Sequence, residues 1–149
     1  MDKIRWCAEK KEGLSLIEPN SDLANAYIKK AEEALESMRI NVIKDWKIST
    51  AYYTIYFSLY AVLMKIGVKC EIHSCTIEIV QLREKEKIID FEFSKVLEED
   101  KELRIDNQYY LKNKPVDFNS KKLSDILLKI RNILNNITDT GIKRIRKLI

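Results

Sequence analysis

The longest uncharged stretch of this chain is the 17-residue run from Ile48 to Met64. In and around this run, apolar positions alternate by four and three residues on one face, and a second apolar set fills the opposite face. A helix that is apolar on both faces is typical of the centre of a bundle. The pattern predicts a buried helix from about Asp45 to Ile66, with Gly67 as its C-terminal cap. The first face comprises Trp46, Thr50, Tyr53, Phe57, Tyr60 and Met64, and the second comprises Ile48, Tyr52, Ile55, Leu59 and Val62.

The same run has to be weighed as a membrane span. A spanning helix needs roughly 20 predominantly apolar residues, and this run is shorter and carries four tyrosines besides serines and threonines. We therefore expect no insertion into a membrane. The tyrosines are expected in the core, each hydroxyl with a local acceptor, while one or two of them, Tyr53 included, open into a groove.

Amphipathic patterns on either side predict four more helices. They run from Asn20 or Ser21, from His73 or Ser74, from about Asp90 to Pro115, and from Asn119 to Gly141. The last has the clearest pattern, because Phe118 before the cap and Leu123 within the first turns form a hydrophobic staple. Gly141 is expected to break it.

These elements predict an all-α protein, an antiparallel up-and-down bundle of four to five helices. Since the chain has three Gly and two Pro, tight hairpins are disfavoured. We expect a single domain over residues 1–149, with its core at about 20–137 and peripheral segments at 1–19 and 138–149. The first peripheral segment is expected to be irregular, and the last to be a solvated, basic helical turn.

The composition excludes several classes of function. Three cysteines, Cys7, Cys70 and Cys75, lack the paired spacing of a zinc site, and a single histidine does not complete a Cys/His set. There is no Gly-rich phosphate loop, and the net charge of +4 is modest. We expect reduced thiols in a cytoplasmic protein, with no cofactor, no metal and no secretory signal.

Arg104 is the candidate functional residue that the pattern singles out. It lies seven residues from Leu97 and from Leu111, at a position of the apolar seam that leucine fills in the neighbouring turns. An arginine at such a position is costly unless a carboxylate, a phosphate or a subunit interface receives it. Two interpretations stay open: Arg104 snorkels or pairs with Asp100, or it binds an anion in a groove. In the second, the polar neighbours are Asp100, Asn107, Gln108, Tyr109 and Tyr110.

Three segments together resemble a known family: "ANAYIKKAEEAL", "WKISTAYYTIYFSLYAVLMKIGVKCEIHS" and "ELRIDNQYY". They are similar to HEPN domains (higher eukaryotes and prokaryotes nucleotide-binding), over roughly residues 20–137. The resemblance implies a bundle that forms a homodimer, with a cleft between subunits lined by the fourth predicted helix. It also implies a partner, a minimal nucleotidyltransferase, in a toxin and antitoxin pair.

Many HEPN domains are metal-independent RNases marked by an arginine followed, four to six residues later, by a histidine. Arg104 matches that arginine, but the residue five positions on is Tyr109. A tyrosine with a pKa near 10 is a poor acid or base at neutral pH. His73 is the one imidazole available to replace it, although a residue at a helix start more often acts as a cap.

The leading hypothesis is therefore a module that binds nucleotide or RNA through Arg104, with Asp100, Asn107, Tyr109 and Tyr53 around it. The first alternative is an RNase toxin that uses Arg104 together with His73 or Tyr109. The second is a dimerising adaptor in which Arg104 braces the subunit interface.

Overall fold

The structure is a computed structural model that describes residues 3–85, 93–108 and 120–147. Its elements, in order, are α1 (Lys3–Glu9), β1 (Leu14–Leu16), α2 (Ser21–Ile40), α3 (Lys44–Ile66), β2 (Val68–Cys70), α4 (His73–Lys85), α5 (Phe93–Gln108), α6 (Ser120–Asn136) and α7 (Asp139–Arg146). The protein is thus mostly helical, as the sequence predicts, with a small two-stranded sheet that the sequence analysis did not anticipate.

The long uncharged run forms α3, and α2, α5 and α6 all pack against it. Most of its side chains from Tyr52 to Ile66 are buried, which confirms a two-faced central helix over that part. The prediction fails in the first turns, where Trp46 is 57% exposed although the periodicity assigns it to the seam. Within the described ranges, no helix is long and apolar enough to cross a membrane, so the prediction of no spanning helix is confirmed there.

The ends of α2 and α3 follow the predicted capping chemistry. Asn20 caps α2, and its side-chain oxygen accepts a hydrogen bond of 2.9 Å from the backbone N–H of Leu23. Gly67 ends α3 with a φ of 79°, a left-handed conformation that glycine adopts without strain. A side chain at Gly67 would also collide with Arg146 and with the backbone at Ile17 and Pro19.

Both terminal segments contribute to the core. The segment before α2 was expected to be irregular, but it contains α1 and β1, and β1 pairs antiparallel with β2. Cys7 and Leu14 of this segment are buried in the main hydrophobic cluster. At the other end, Ile142 and Ile145 of α7 join the same cluster, so α7 is a packed helix and not a solvated turn.

The predicted break at Gly141 is wrong. The helix α6 ends at Asn136, and Thr138 caps α7 by accepting a 3.0 Å hydrogen bond from the backbone N–H of Gly141. Gly141 therefore lies in the first turn of α7, because a threonine cap three residues earlier restarts the helix. The staple of Phe118 and Leu123 and the helix end near Pro115 involve residues outside the described ranges.

The prediction of three reduced thiols is also wrong. Cys7 and Cys75 form a disulfide that joins α1 to α4 across a sequence separation of 68 residues. Cys70 remains a free, buried thiol on β2. The odd count concealed the pair, because cysteine pairing depends on which segments meet in space and not on local spacing.

Candidate functional site

An open groove lies at the N-terminal end of α3, where α5 crosses it. Its volume is about 630 Å³. The residues that line it are Ile43, Asp45, Trp46, Ser49, Thr50, Tyr53 and Arg104. All but Arg104 come from α3 or the residue before it, so a single helix forms most of the wall.

The turn between α2 and α3 and the first turn of α3 expose apolar side chains, of which Ile43 and Trp46 line the groove. Ile40, Val42, Ile43 and Trp46 are the large hydrophobic residues exposed there. The Thr50 hydroxyl bonds within its own helix, where it donates to the carbonyl oxygens of Trp46 (2.8 Å) and Lys47 (3.1 Å). The polar and aromatic groups that line the groove are the Trp46 indole, the Tyr53 phenol, the hydroxyls of Ser49 and Thr50, the Asp45 carboxylate and the Arg104 guanidinium.

Arg104 reaches the groove from α5 and lies over two tyrosine rings of α3. Its guanidinium carbon is 5.1 Å from the ring centroid of Tyr52 and 5.7 Å from that of Tyr53. Tyr52 is fully buried, whereas Arg104 and Tyr53 are half-buried. A guanidinium within about 6 Å of an aromatic face is attracted by the ring quadrupole, so the two tyrosines fix this cation at the groove wall.

The aromatic surface continues from the groove along α3. Tyr53 stacks on Phe57, with ring centroids 5.4 Å apart, and Tyr27 of α2 lies 6.0 Å from Phe57. A second cation, Lys30 of α2, lies 4.9 Å from the Phe57 ring and 5.9 Å from the Tyr27 ring. Two cations therefore contact a continuous set of aromatic rings.

The deeper tyrosines of α3 belong to the core. Burial raises the pKa of Tyr56 to about 12, although a hydrogen bond with Thr76 partly offsets the effect. Burial also raises the pKa of Tyr60, which bonds to the backbone of Cys70, and the pKa of the Cys70 thiol. These phenols are therefore neutral near pH 7, and both side chains pack in the hydrophobic core. Tyr56 and Tyr60 each have a local hydrogen-bond partner, Thr76 and the backbone of Cys70, but an acceptor for either hydroxyl stays a prediction.

The structure brings together two of the predicted site residues, Arg104 and Tyr53. Asn107 is 3% exposed and donates from Nδ2 to the carbonyl oxygen of Leu103 at 2.9 Å, so its amide bonds within α5. His73 is the first residue of α4, as predicted. The side chains of His73 and Asp100, and Tyr109 as a whole, lie outside what the structure describes.

Sequence reasoning missed Trp46 and Ile43 as parts of the site. The periodicity placed Trp46 in a buried seam, and exposure of the first turns of α3 depends on how far α2 and α5 extend beside them. A possible signal was the succession of apolar residues in "RINVIKDW" at an interhelical turn, where polar residues are the rule. Among the described residues, no group of three or more His, Cys, Asp or Glu side chains is placed to hold a metal ion.

Comparison of the chain with protein-family models, with curated proteins and with solved structures finds no match. The interpretation of the groove therefore depends on its own residues and on the sequence resemblance described above.

Proposed function

We propose that this protein is a HEPN-type module that binds a nucleotide or an RNA phosphate in the groove between α3 and α5. The observation that carries the proposal is the placement of Arg104 over Tyr52 and Tyr53 at the wall of an open groove. A planar guanidinium presents a fork of N–H donors that matches phosphate oxygens. Trp46 and Tyr53 in the same groove offer aromatic surface to a base or a sugar.

The proposed chemistry is binding without efficient cleavage. Attack by a ribose 2′-hydroxyl needs a general base, and a positioned histidine commonly contributes about 10² to 10⁴ in rate. The motif position five residues after Arg104 holds Tyr109, and the tyrosine pKa of about 10 leaves the phenol protonated near pH 7. Among the described residues, none of those that line the groove is a histidine.

The resemblance extends the proposal to partners. A HEPN-type module is expected to form a homodimer whose cleft contains Arg104, and to act beside a minimal nucleotidyltransferase in a toxin and antitoxin pair. The exposed apolar side chains of Val42, Ile43 and Trp46, around the start of α3, are compatible with a surface that a second subunit partly covers.

A titration with a nucleoside monophosphate and with a short RNA at low salt tests the proposal. Arg104→Gln should weaken binding by about tenfold or more, since a hydrogen bond to a charged group is commonly worth about 1.5–3 kcal/mol. Arg144→Gln is the matched control, because Arg144 is an exposed arginine on α7 with the same loss of charge. This control should bind within about twofold of the original protein, as a general charge effect of one residue is small at moderate salt.

Two further measurements separate the alternatives. Cleavage of intact RNA that disappears in Arg104→Gln would replace the binding proposal with an RNase. Loss of a dimer in sedimentation on the same substitution, with no nucleotide or RNA binding in either protein, would replace it with a dimerising adaptor. Unchanged binding in Arg104→Gln would refute the role assigned to this arginine.

A further inference from the structure

Residues 3–11, which comprise α1 and part of the turn after it, form a segment that we term the N-terminal arm. Cys7 is the buried residue of α1, and Ile4 and Trp6 are partly buried against the core. A helix of seven residues is too short to be stable by itself in water. The arm therefore depends on its attachment to the rest of the protein, and the disulfide from Cys7 to Cys75 of α4 is the covalent part of that attachment.

The chain is attached more firmly from Gly13 onward. Leu14 is buried, and β1 pairs with β2. The backbone N–H of Ile17 donates to the carbonyl oxygen of Gly67 at 2.9 Å, and the carbonyl oxygen of Ile17 accepts from Arg146 at 2.6 Å. A buried leucine, backbone pairing and a charged donor thus hold this segment, and these links do not involve the disulfide.

Glu12 and Gly13 form the boundary between the arm and the attached segment. Glu12 has a φ of 63°, a left-handed conformation that is unfavourable for a residue with a side chain. Its carbonyl oxygen accepts a 3.0 Å hydrogen bond from the backbone N–H of Glu71. Gly13 packs so closely on the backbone carbonyl of Cys7 that a side chain there would collide with it. Opening of the arm at this boundary relieves a strained turn and leaves β1 in place.

The helical core does not depend on the arm. Its largest fully buried side chains, such as Met38, Ile55 and Ile126, belong to α2, α3, α4 and α6. A chain of 149 residues is long enough to bury a stable core without disulfides. Loss of the bond between Cys7 and Cys75 should therefore affect the arm first.

We propose that the Cys7–Cys75 disulfide is a thiol-controlled switch, in which reduction releases the N-terminal arm from α4 while the helical bundle stays folded. Reduction thereby exposes the thiols of Cys7 and Cys75 and the indole of Trp6, and oxidation docks the arm again. The lining of the groove comes from α3, the residue before it and α5, so this inference is independent of the proposed function.

The chemical step is a thiol–disulfide exchange with a dithiol. One thiolate of the dithiol attacks a sulfur of the pair, the S–S bond breaks, and the other sulfur leaves as a thiolate that takes up a proton. The second thiol of the dithiol then attacks the mixed disulfide, so Cys7 and Cys75 become thiols and the dithiol becomes a disulfide. Because both cysteines are buried, the attack requires a local opening, and segments with few buried contacts open at the lowest cost.

Cys70 is an internal reference for the switch. Its thiol is fully buried on β2 and donates to the carbonyl oxygen of Ile72 at 3.4 Å. Burial raises the pKa of this thiol, which lowers the fraction of reactive thiolate. Because β2 stays paired with β1 when the arm opens, Cys70 should remain protected after reduction.

Pulse labelling with N-ethylmaleimide under native conditions, followed by peptide mass mapping, tests the switch. The oxidised protein should take up no label at Cys7, Cys70 or Cys75. After reduction with dithiothreitol and removal of the reductant, Cys7 and Cys75 should be labelled. Cys70 should react at least about a hundredfold more slowly, because its exposure needs a larger opening. Oxidised glutathione should restore the protection of Cys7 and Cys75.

Other labelling patterns would overturn the switch. If Cys7 and Cys75 stay protected after reduction, the arm stays docked without the bond. If Cys70 reacts as fast as the other two, reduction unfolds the whole protein. If oxidised glutathione does not close the bond again, the pair does not act reversibly.

Tryptophan emission gives a second readout that does not rely on labelling. In a Trp46→Phe background Trp6 is the sole tryptophan, and reduction should shift its emission to longer wavelength because the indole becomes exposed. The matched control is Trp6→Phe, in which the emission of Trp46 should not shift. An unshifted Trp6 emission, or a large loss of helical circular dichroism on reduction, would contradict release of the arm alone.

Discussion

Each end of α3 has an arginine beside it, and the two arginines lie in different surroundings. At the C-terminal end, Arg146 donates to the backbone carbonyl oxygens of Ile17 (2.6 Å), Ile66 (3.1 Å) and Gly67 (2.7 Å). At the N-terminal end, Arg104 lies over the rings of Tyr52 and Tyr53 beside an open groove. Directed hydrogen bonds to carbonyl oxygens fix the Arg146 guanidinium in one place. The Arg104 guanidinium is attracted by the faces of two rings.

The two ends of α3 also differ in how many elements pack around them. The C-terminal end of α3 meets the sheet, α7 and the loop before α2, and the disulfide lies nearby in α1 and α4. The N-terminal end keeps Ile43 and Trp46 exposed. Packing and backbone hydrogen bonds are thus concentrated at the C-terminal end of the central helix, and the open groove lies at the other end. A rigid scaffold with a less constrained region beside it is a usual arrangement in proteins.

The largest effect is expected from the disulfide. Because Cys7 and Cys75 close a long loop with a sequence separation of 68, their bond should contribute about 4 kcal/mol to the free energy of unfolding by the chain-entropy estimate. The double variant Cys7→Ser and Cys75→Ser should lose this amount in urea unfolding. RNA affinity at the opposite end of α3 should stay the same while the protein remains folded.

A reducing agent provides the control for this double variant. Reductant should lower the stability of the original protein to that of the variant and leave the variant unchanged. If reductant has no effect on the original protein, the disulfide does not stabilise the C-terminal end of α3. If RNA affinity falls together with stability, the two ends are coupled and the comparison above is too simple.

The sequence predicted the parts of this fold that local rules control. The 3.6-residue period located α3, and the caps at Asn20 and Gly67 follow from backbone chemistry within one turn. The disulfide and the sheet were not predicted, because pairing between distant cysteines and between three-residue strands leaves no local period in the sequence. The seam position of Arg104 pointed to the groove, but the exposure of Trp46 depends on how neighbouring helices end.

Because Tyr56 is buried in the C-terminal half of α3, the stability of the protein should be sensitive to alkaline pH. The pKa of Tyr56 is about 12 in the folded protein against 10 for a free phenol, so its neutral form is favoured by folding. This contribution is complete below pH 10 and is lost as the pH rises from 10 to 12, because the unfolded chain ionises first. The loss should reach about 2 kcal/mol near pH 12.

Urea unfolding of the original protein and of Tyr56→Phe across this range measures the effect. The stability difference between the two proteins should be constant below pH 10, where it reflects the lost hydrogen bond with Thr76. Above pH 10 the stability of the original protein should fall more steeply than that of Tyr56→Phe. If the stabilities of the two proteins change in parallel through pH 12, Tyr56 titrates with its ordinary pKa and burial does not perturb it.

The smallest effect on stability is expected from substitution of Arg104. Comparison with Arg146 tests whether the two arginines have different roles. Arg146→Gln removes the charged donor shared by three partly buried carbonyl oxygens and should cost about 2 kcal/mol. Arg104→Gln removes a cation from two ring faces and should cost less than about 1 kcal/mol. Because the two substitutions are chemically identical, the difference reports on their surroundings.

Binding should show the opposite order. Arg104→Gln should lose most of the affinity for RNA, while Arg146→Gln, measured at a temperature where it is fully folded, should keep it. If Arg104→Gln destabilises the protein as much as Arg146→Gln does and RNA affinity is unchanged in both, then Arg104 is a second brace. In that case the proposed function would be wrong, because Arg104 would serve to hold α5 against α3 and not to bind RNA.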